Sequence, residues 1–200
     1  MKIAAVIFDL DGTLTQPYLD FDQIRAEIGQ IQGPILEAME TMPCDQRRRA
    51  EEILHRHEQQ AAKHSELNPG VQEIYTWLRE RELPIGLVTR NQRCSVELFC
   101  QIHRFYFDGI VTREDGPVKP DPFPVQSVCE QMQVDPGQAV VVGDYLFDLI
   151  SAREAGAHNV LLKTNKDFTD FSHEADYVIP SLKALPDVIE QIENGKSHYK

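Results

Sequence analysis

Positive charge is scarce in this chain of 200 residues: 20 lysines and arginines stand against 32 aspartates and glutamates, a formal charge of −12. That balance argues against non-specific binding to nucleic acid or to an anionic membrane. An anion can still be held, but only where a few cations and backbone amides are focused on it. Long apolar runs are missing too, so no segment is suited to span a bilayer. The opening stretch MKIAAVIFDLDG lacks the small-residue cleavage site of a signal peptide, and its apolar run stops at Asp9. Paired cysteines are absent: Cys44, Cys94, Cys100 and Cys129 form no CxxC and no metal-type spacing. They read as reduced thiols of a cytoplasmic protein with packing roles. His55, His57, His64, His103, His158 and His173 show no ligand spacing and read as surface or packing residues. Internal repeats and low-complexity segments are also lacking.

What is present is an apolar share of 42%, enough for a real core in one domain with a small insert. Short apolar runs read as buried strands: IAAVI at 3–7, LPIGLVT at 83–89, FDGIVT at 107–112, QAVVVGD at 138–144, then NVLLK and DYVIP. Helical spacing separates them. It runs through Val71, Ile74, Trp77 and Leu78, then Val96, Phe99, Cys100 and His103, then Val125, Val128 and Met132, then Leu146 to Ala155. Strands that are apolar throughout, alternating with helices, predict a Rossmann-like α/β fold: a parallel sheet with helices on both faces.

The segment from Thr15 to Glu66 differs in character. Phe21, Ile24, Ile28 and Ile31 keep helical spacing behind an Asp20 N-cap, and Gly33-Pro34 breaks the run. A second helical piece runs to Met42. The polar stretch after Pro43 has few apolar positions beyond Ala50, Ile53, Leu54 and Ala61, and this thin stripe predicts loose packing. The expected division is a core of residues 1–14 and 67–200 and a small helical insert of 15–66. The tail GKSHYK is expected to fray.

Three strands end in polar residues: Asp9 and Asp11 after the first, Thr89 after the second, Asp144 after the run at 138–144. In parallel sheets, ligands sit beyond the carboxyl ends of the strands. Asp9 and Asp11 would lie about 7 Å apart on an extended chain, on the same side, and repel each other. Lys119 could reach the same edge. Asp144 and Asp148, four apart, would share a helix face with Cβ atoms roughly 5–6 Å apart. Four carboxylates with one lysine call for a hard divalent cation, Mg²⁺ above all, and the lysine and hydroxyl suggest a phosphoryl guest.

These residues carry a resemblance. DLDGT at 9–13, Thr89 after an apolar strand, Lys119 in KPDP and GDYLFD at 143–148 match, in order, the four motifs of the haloacid dehalogenase superfamily. The chain resembles its Mg²⁺-dependent phosphatase branch with a helical (C1-type) cap, similar to phosphoglycolate phosphatases and β-phosphoglucomutase. The resemblance implies Asp9 as nucleophile forming an aspartyl-phosphate, Asp11 as general acid and base, and Thr89 and Lys119 on the phosphate oxygens. It implies Mg²⁺ held by Asp9, the Asp11 carbonyl and Asp144, with Asp148 behind them. The substrate implied is a small phosphorylated metabolite, and no feature bears on oligomeric state. Arg90, beside the threonine, either contacts substrate or faces solvent. Arg47, Arg48 and Arg49 are either a solvated charge run or bring one cation to a second anionic group of the substrate. A phosphomutase on the same aspartates and a non-catalytic phosphate-sensing module are the alternative functions.

Overall fold

In a computed structural model that describes residues 2–163 and 170–195, the apolar runs form strands, and three of these, AVIF, IGLV and AVVVG, are buried along their whole length. The tail from Lys196 lies outside the described residues. In chain order the elements are β1 (Ala5–Phe8), α1 (Phe21–Ile28), α2 (Ile35–Glu40), α3 (Cys44–Lys63), α4 (Val71–Glu80) and β2 (Ile85–Val88). There follow α5 (Arg93–His103), β3 (Gly109–Val111), α6 (Phe123–Met132), β4 (Ala139–Gly143), α7 (Leu146–Ala155), β5 (His158–Leu162), β6 (Tyr177–Ile179) and α8 (Leu185–Glu193).

All six strands are parallel, in the order β3-β2-β1-β4-β5-β6, the doubly wound Rossmann-like arrangement with helices on both sides. One face is built from Ile7, Val88, Val111 and Val141, which cluster with Val125, Val128 and Cys129 of α6 and Ala152 of α7. The strand order reverses at β1. Phe8 pairs with Leu87 on one side and Val142 on the other, so the residues that follow β1, β2 and β4 are neighbours at the carboxyl edge.

The chain divides into two compact units: Met1–Pro17, Glu66–Arg90 and Tyr106–Lys200 form the sheet unit, and Tyr18–Ser65 with Asn91–Phe105 form a helical one. The helical unit therefore gathers α5 as well as the segment that the sequence marks as a cap. It has its own small core of Ile24, Ile35, Met39, Ala50 and Leu54, against which Ile28, Ile31 and Met42 pack. Loose packing is thus not what the thin stripe means. Ala50, Ala61 and Ala62 are buried because small residues allow close helix approach, and Gln59 Nε2 donates to Ser95 Oγ at 3.0 Å, tying α3 to α5.

Asp20 caps α1 as expected, its carboxylate accepting from Gln23 N at 2.9 Å. The helix stops at Gly29 rather than at Gly33-Pro34, the N–H groups of Gly29 and Gln30 both donating to the Arg25 carbonyl, and Phe21 is left half exposed. Cys129 is buried, but Cys44 and Cys94 are exposed, so packing does not account for them. Trp77 is only partly covered, with the Arg81 guanidinium 3.8 Å from its ring centre. The helix α8 has no counterpart in the sequence reading, although Leu185, Val188, Ile189 and Ile192, all buried, carry its signal. Among the described residues, no helix is long and apolar enough to cross a membrane.

Candidate active site

Asp9 is the first residue beyond β1, its N–H still donating to the Val142 carbonyl at 3.0 Å. The chain then turns, because Leu14 N, Thr15 N and Thr15 Oγ1 all donate to the Leu10 carbonyl. Asp11 therefore sits in a tight turn rather than two places along an extended strand. The turn needs Gly12 at φ +83°, and a Cβ there would lie 2.2 Å from Asp144 Oδ2. Glycine lets the backbone pass directly against that carboxylate. Thr13, fully buried, donates to Asp144 Oδ1 at 3.4 Å.

Asp144 and Asp148 do not share a helix face. Asp144 precedes the N-cap of α7, whereas Asp148 lies in the first turn and accepts from Tyr145 N at 3.1 Å through Oδ2. A Cβ on Gly143 would come within 2.2 Å of the Asp148 Cβ, so the absence of a side chain there admits the first turn of α7 to the strand end.

Lys119 binds these parts together. Its buried ammonium donates to Asp9 Oδ1 at 2.5 Å, Asp148 Oδ1 at 2.6 Å and the Val88 carbonyl at 3.0 Å. All three donors of the ammonium are thereby used. Carboxylate oxygens of Asp9, Asp144 and Asp148 lie within 4.8 Å of one another, while Asp11 falls outside that group of three. Burial pushes the Asp9 carboxyl up to about 7, with Asp148 and Asp11 adding repulsion against the opposing pull of Lys119. Asp144 is also raised, first by burial and then by the Asp9 and Asp148 charges. Burial opposes the Lys119 charge, yet the two aspartates outweigh it and hold its pKa above the usual lysine range. Two buried acids that resist ionisation beside a third, with one cation already fully engaged, fit a site for a further hard cation.

Thr89 is buried at the end of β2, its N–H donating to the Val111 carbonyl at 3.0 Å. Arg90 neither lies loose in solvent nor stands apart from the site: its Nη1 donates to the Lys119 carbonyl at 2.5 Å. The arginine run is different. Arg47, Arg48 and Arg49 are all exposed, with Arg47 paired to Glu51 at 3.0 Å and Arg48 to Asp45 at 3.4 Å on their own helix, in keeping with a solvated charge run.

Asn68 is a residue that sequence reasoning missed. Buried, it donates through Nδ2 to the carbonyls of Gly12, Thr13 and Thr15 at 2.8, 2.9 and 3.0 Å, and so holds the whole turn that carries Asp11. The only hint was an asparagine directly before Pro69-Gly70, a turn signal that reads equally well as a helix entry. Asn68→Ala strands those carbonyls and is expected to cost about 1–3 kcal/mol, lowering the melting temperature by roughly 3–10 °C. Thermal unfolding checks the loss.

A buried lysine shared between carboxylates stands at the switch point of a doubly wound sheet, the place where such sheets hold their ligands. The comparisons give the lineage: residues 17–162 match the haloacid dehalogenase-like hydrolase family, and the chain belongs to it. It is 33% identical to an uncharacterised hydrolase of Saccharomyces cerevisiae over 96% of this chain and 92% of that one. It is 27% identical to the pyrophosphatase PpaX of Bacillus mycoides, over 98% and 100% of the two chains. Its fold is similar to that of CbbY from Rhodobacter sphaeroides, solved in complex with phosphate, with a TM-score of 0.70 and 21% identity over 92% and 96% of the chains. The protein is accordingly a phosphatase-type hydrolase of this family, whose phosphatases generally use a divalent metal.

Proposed function

We propose that the protein is a Mg²⁺-dependent phosphohydrolase that cleaves a small organic phosphate monoester through an aspartyl-phosphate on Asp9. The observation that carries the reading is the Asp9 carboxylate, standing beyond the central strand, 2.5 Å from the buried Lys119 ammonium and beside Asp144 and Asp148. An anion facing a cation at a strand end suits an in-line attack on phosphorus, because the ammonium holds the carboxylate in place and offsets the charge of the incoming phosphate. The phosphate in the CbbY structure and the name of PpaX support a phosphoryl guest.

In this mechanism an Asp9 oxygen bonds to phosphorus as the bond to the leaving oxygen breaks, and Asp11 gives its proton to the departing alkoxide. Asp11, now ionised, takes a proton from a water that attacks the same phosphorus. That step releases inorganic phosphate and restores Asp9. Thr89 holds the phosphoryl oxygens, and Lys119 joins it as its bond to the Asp9 oxygen gives way to one with the phosphoryl group. Mg²⁺ would be held by Asp9, Asp144 and the Asp11 carbonyl, and when bound it supplies charge neutralisation at the phosphoryl group. Both oxygens of Asp148 already accept bonds, from Lys119 and from Tyr145 N, which suits it to orient the lysine.

The test is release of inorganic phosphate from an aryl phosphate and from a panel of phosphorylated metabolites. Chelation with EDTA is expected to abolish turnover and Mg²⁺ to restore it, with Ca²⁺ a poor substitute because its larger, looser shell misplaces the phosphoryl group. Mg²⁺ is also expected to raise the melting temperature of the chelated protein by relieving repulsion between Asp9 and Asp144. Undiminished activity in EDTA would remove the metal from the reading. Return of the phosphoryl group to the substrate at a new position, in place of free phosphate, would define a mutase.

A further inference from the structure

We infer that Arg90 is a positioning residue for Lys119, clasping the loop that carries it; the inference rests on the reading that Lys119 serves the phosphoryl group. Val88 and Arg90, at the end of β2, tie the loop after β3 at three points. The Arg113 guanidinium, at the start of the loop, donates through Nη1 to the Arg90 carbonyl at 3.0 Å. The Arg90 guanidinium donates through Nη1 to the Lys119 carbonyl at 2.5 Å. The Lys119 ammonium donates to the Val88 carbonyl at 3.0 Å. One residue thus binds both ends of the segment Arg113–Lys119, and Lys119 is fixed at its backbone as well as at its tip.

The guanidinium is itself held, with its carbon 5.0 Å from the centre of the Phe147 ring on α7. The clasp therefore connects three parts of the site: the end of β2, the lysine loop, and the first turn of α7 that carries Asp148. A charge-assisted bond to a carbonyl is a strong tether. It is also directional. A lysine side chain has many rotamers, and anchoring its main chain on the strand that its ammonium also touches restricts where that charge can go. Arg90 acts on the phosphoryl end of the reaction through Lys119, so it should not discriminate between leaving groups.

The experiment uses Arg90→Met, which keeps a long unbranched side chain but has no donor, and Arg90→Lys, which keeps one. Each is compared with the wild type on phenyl phosphate and on glycerol phosphate, with Mg²⁺, and by backbone hydrogen exchange. For Arg90→Met, kcat is expected to fall about 10- to 100-fold on both substrates, with KM within about threefold. Amides across residues 113–121 should exchange at least about fivefold faster while those of β1, β2 and β4 keep wild-type rates. Arg90→Lys should recover most of both readouts. A rise in KM confined to one substrate, with loop exchange unchanged, would make Arg90 a substrate contact and overturn the clasp. Wild-type kinetics and exchange in Arg90→Met would overturn it as well. If the wild type turned over neither ester nor any other phosphate, the proposed reaction would fail, and the exchange rates alone would then decide the clasp.

Discussion

Asp9→Asn is expected to reduce turnover at least about 10³-fold, equivalent to roughly 4 kcal/mol of transition-state stabilisation, and yet to make the metal-free protein more stable. The two effects share one cause. Asp9 is held at about 7 by burial, and by the Asp148 and Asp11 charges that Lys119 only partly offsets. In the unfolded chain its value is near 4. Between about pH 4 and about pH 7 the folded protein keeps a proton that the unfolded chain has released. Stability therefore falls as pH rises through that window and stays low above it. An amide cannot ionise, so the variant lacks this decline and should gain roughly 1–4 kcal/mol at pH 8. For a chain of this size that corresponds to a rise of roughly 3–12 °C in melting temperature. Below about pH 4 the two proteins should converge. Thermal unfolding in EDTA across pH, beside single-turnover assays with Mg²⁺, measures both halves. Loss of stability in Asp9→Asn at pH 8 would contradict the electrostatic account, and near wild-type turnover would remove Asp9 as nucleophile. Such a trade is expected where a site is organised for chemistry at the expense of the fold.

The sheet was legible because its central strands are short, apolar and buried on both sides, a pattern that solvent-facing strands do not produce. Strand ends were legible for the same reason: a polar residue directly after such a run has to lie at the edge, as Asp9, Thr89 and Asp144 do. What sequence spacing could not convey was side-chain traffic between distant segments. Asp144 and Asp148 read as an i, i+4 pair, but the helix starts only after Tyr145, so their proximity comes from the packing of its first turn against Gly143. Arg90 read as a substrate contact or a surface residue, and its bond to the Lys119 carbonyl spans 29 positions. Asn68 reaches back 53 to 56 positions to the Gly12–Thr15 turn. The burial of Glu58 on α3 was equally hidden, because its place in a polar run says nothing of the Gln92 N–H that it accepts at 3.3 Å. Non-local hydrogen bonds leave no period in a sequence.

Lys119→Met tests the other half of the site and is expected to move stability in the opposite direction from Asp9→Asn. The lysine is bonded to both Asp9 and Asp148, and its removal leaves carboxylates whose oxygens lie within 4.8 Å of one another without that partner. Its own pKa is raised in the folded state, because Asp148 and Asp9 outweigh the cost of burial. Its stabilising contribution is therefore fully present below about pH 10, the unfolded lysine range, and is lost only as pH rises through the higher folded value. Breaking a buried pair of this kind typically costs about 3–5 kcal/mol, and that loss should be largest in metal-free protein at pH 8. Near pH 5 the orphaned acids take up protons and the deficit should shrink. Mg²⁺ should recover part of the stability, because a cation between Asp9 and Asp144 relieves the same repulsion. Turnover should remain at least about 10²-fold down, since a cation on the carboxylates does not replace the ammonium that Asp9 and the phosphoryl oxygens share. A deficit that stayed the same from pH 8 to pH 5 would show that packing of the lysine stem, rather than its charge, is what the cluster needs.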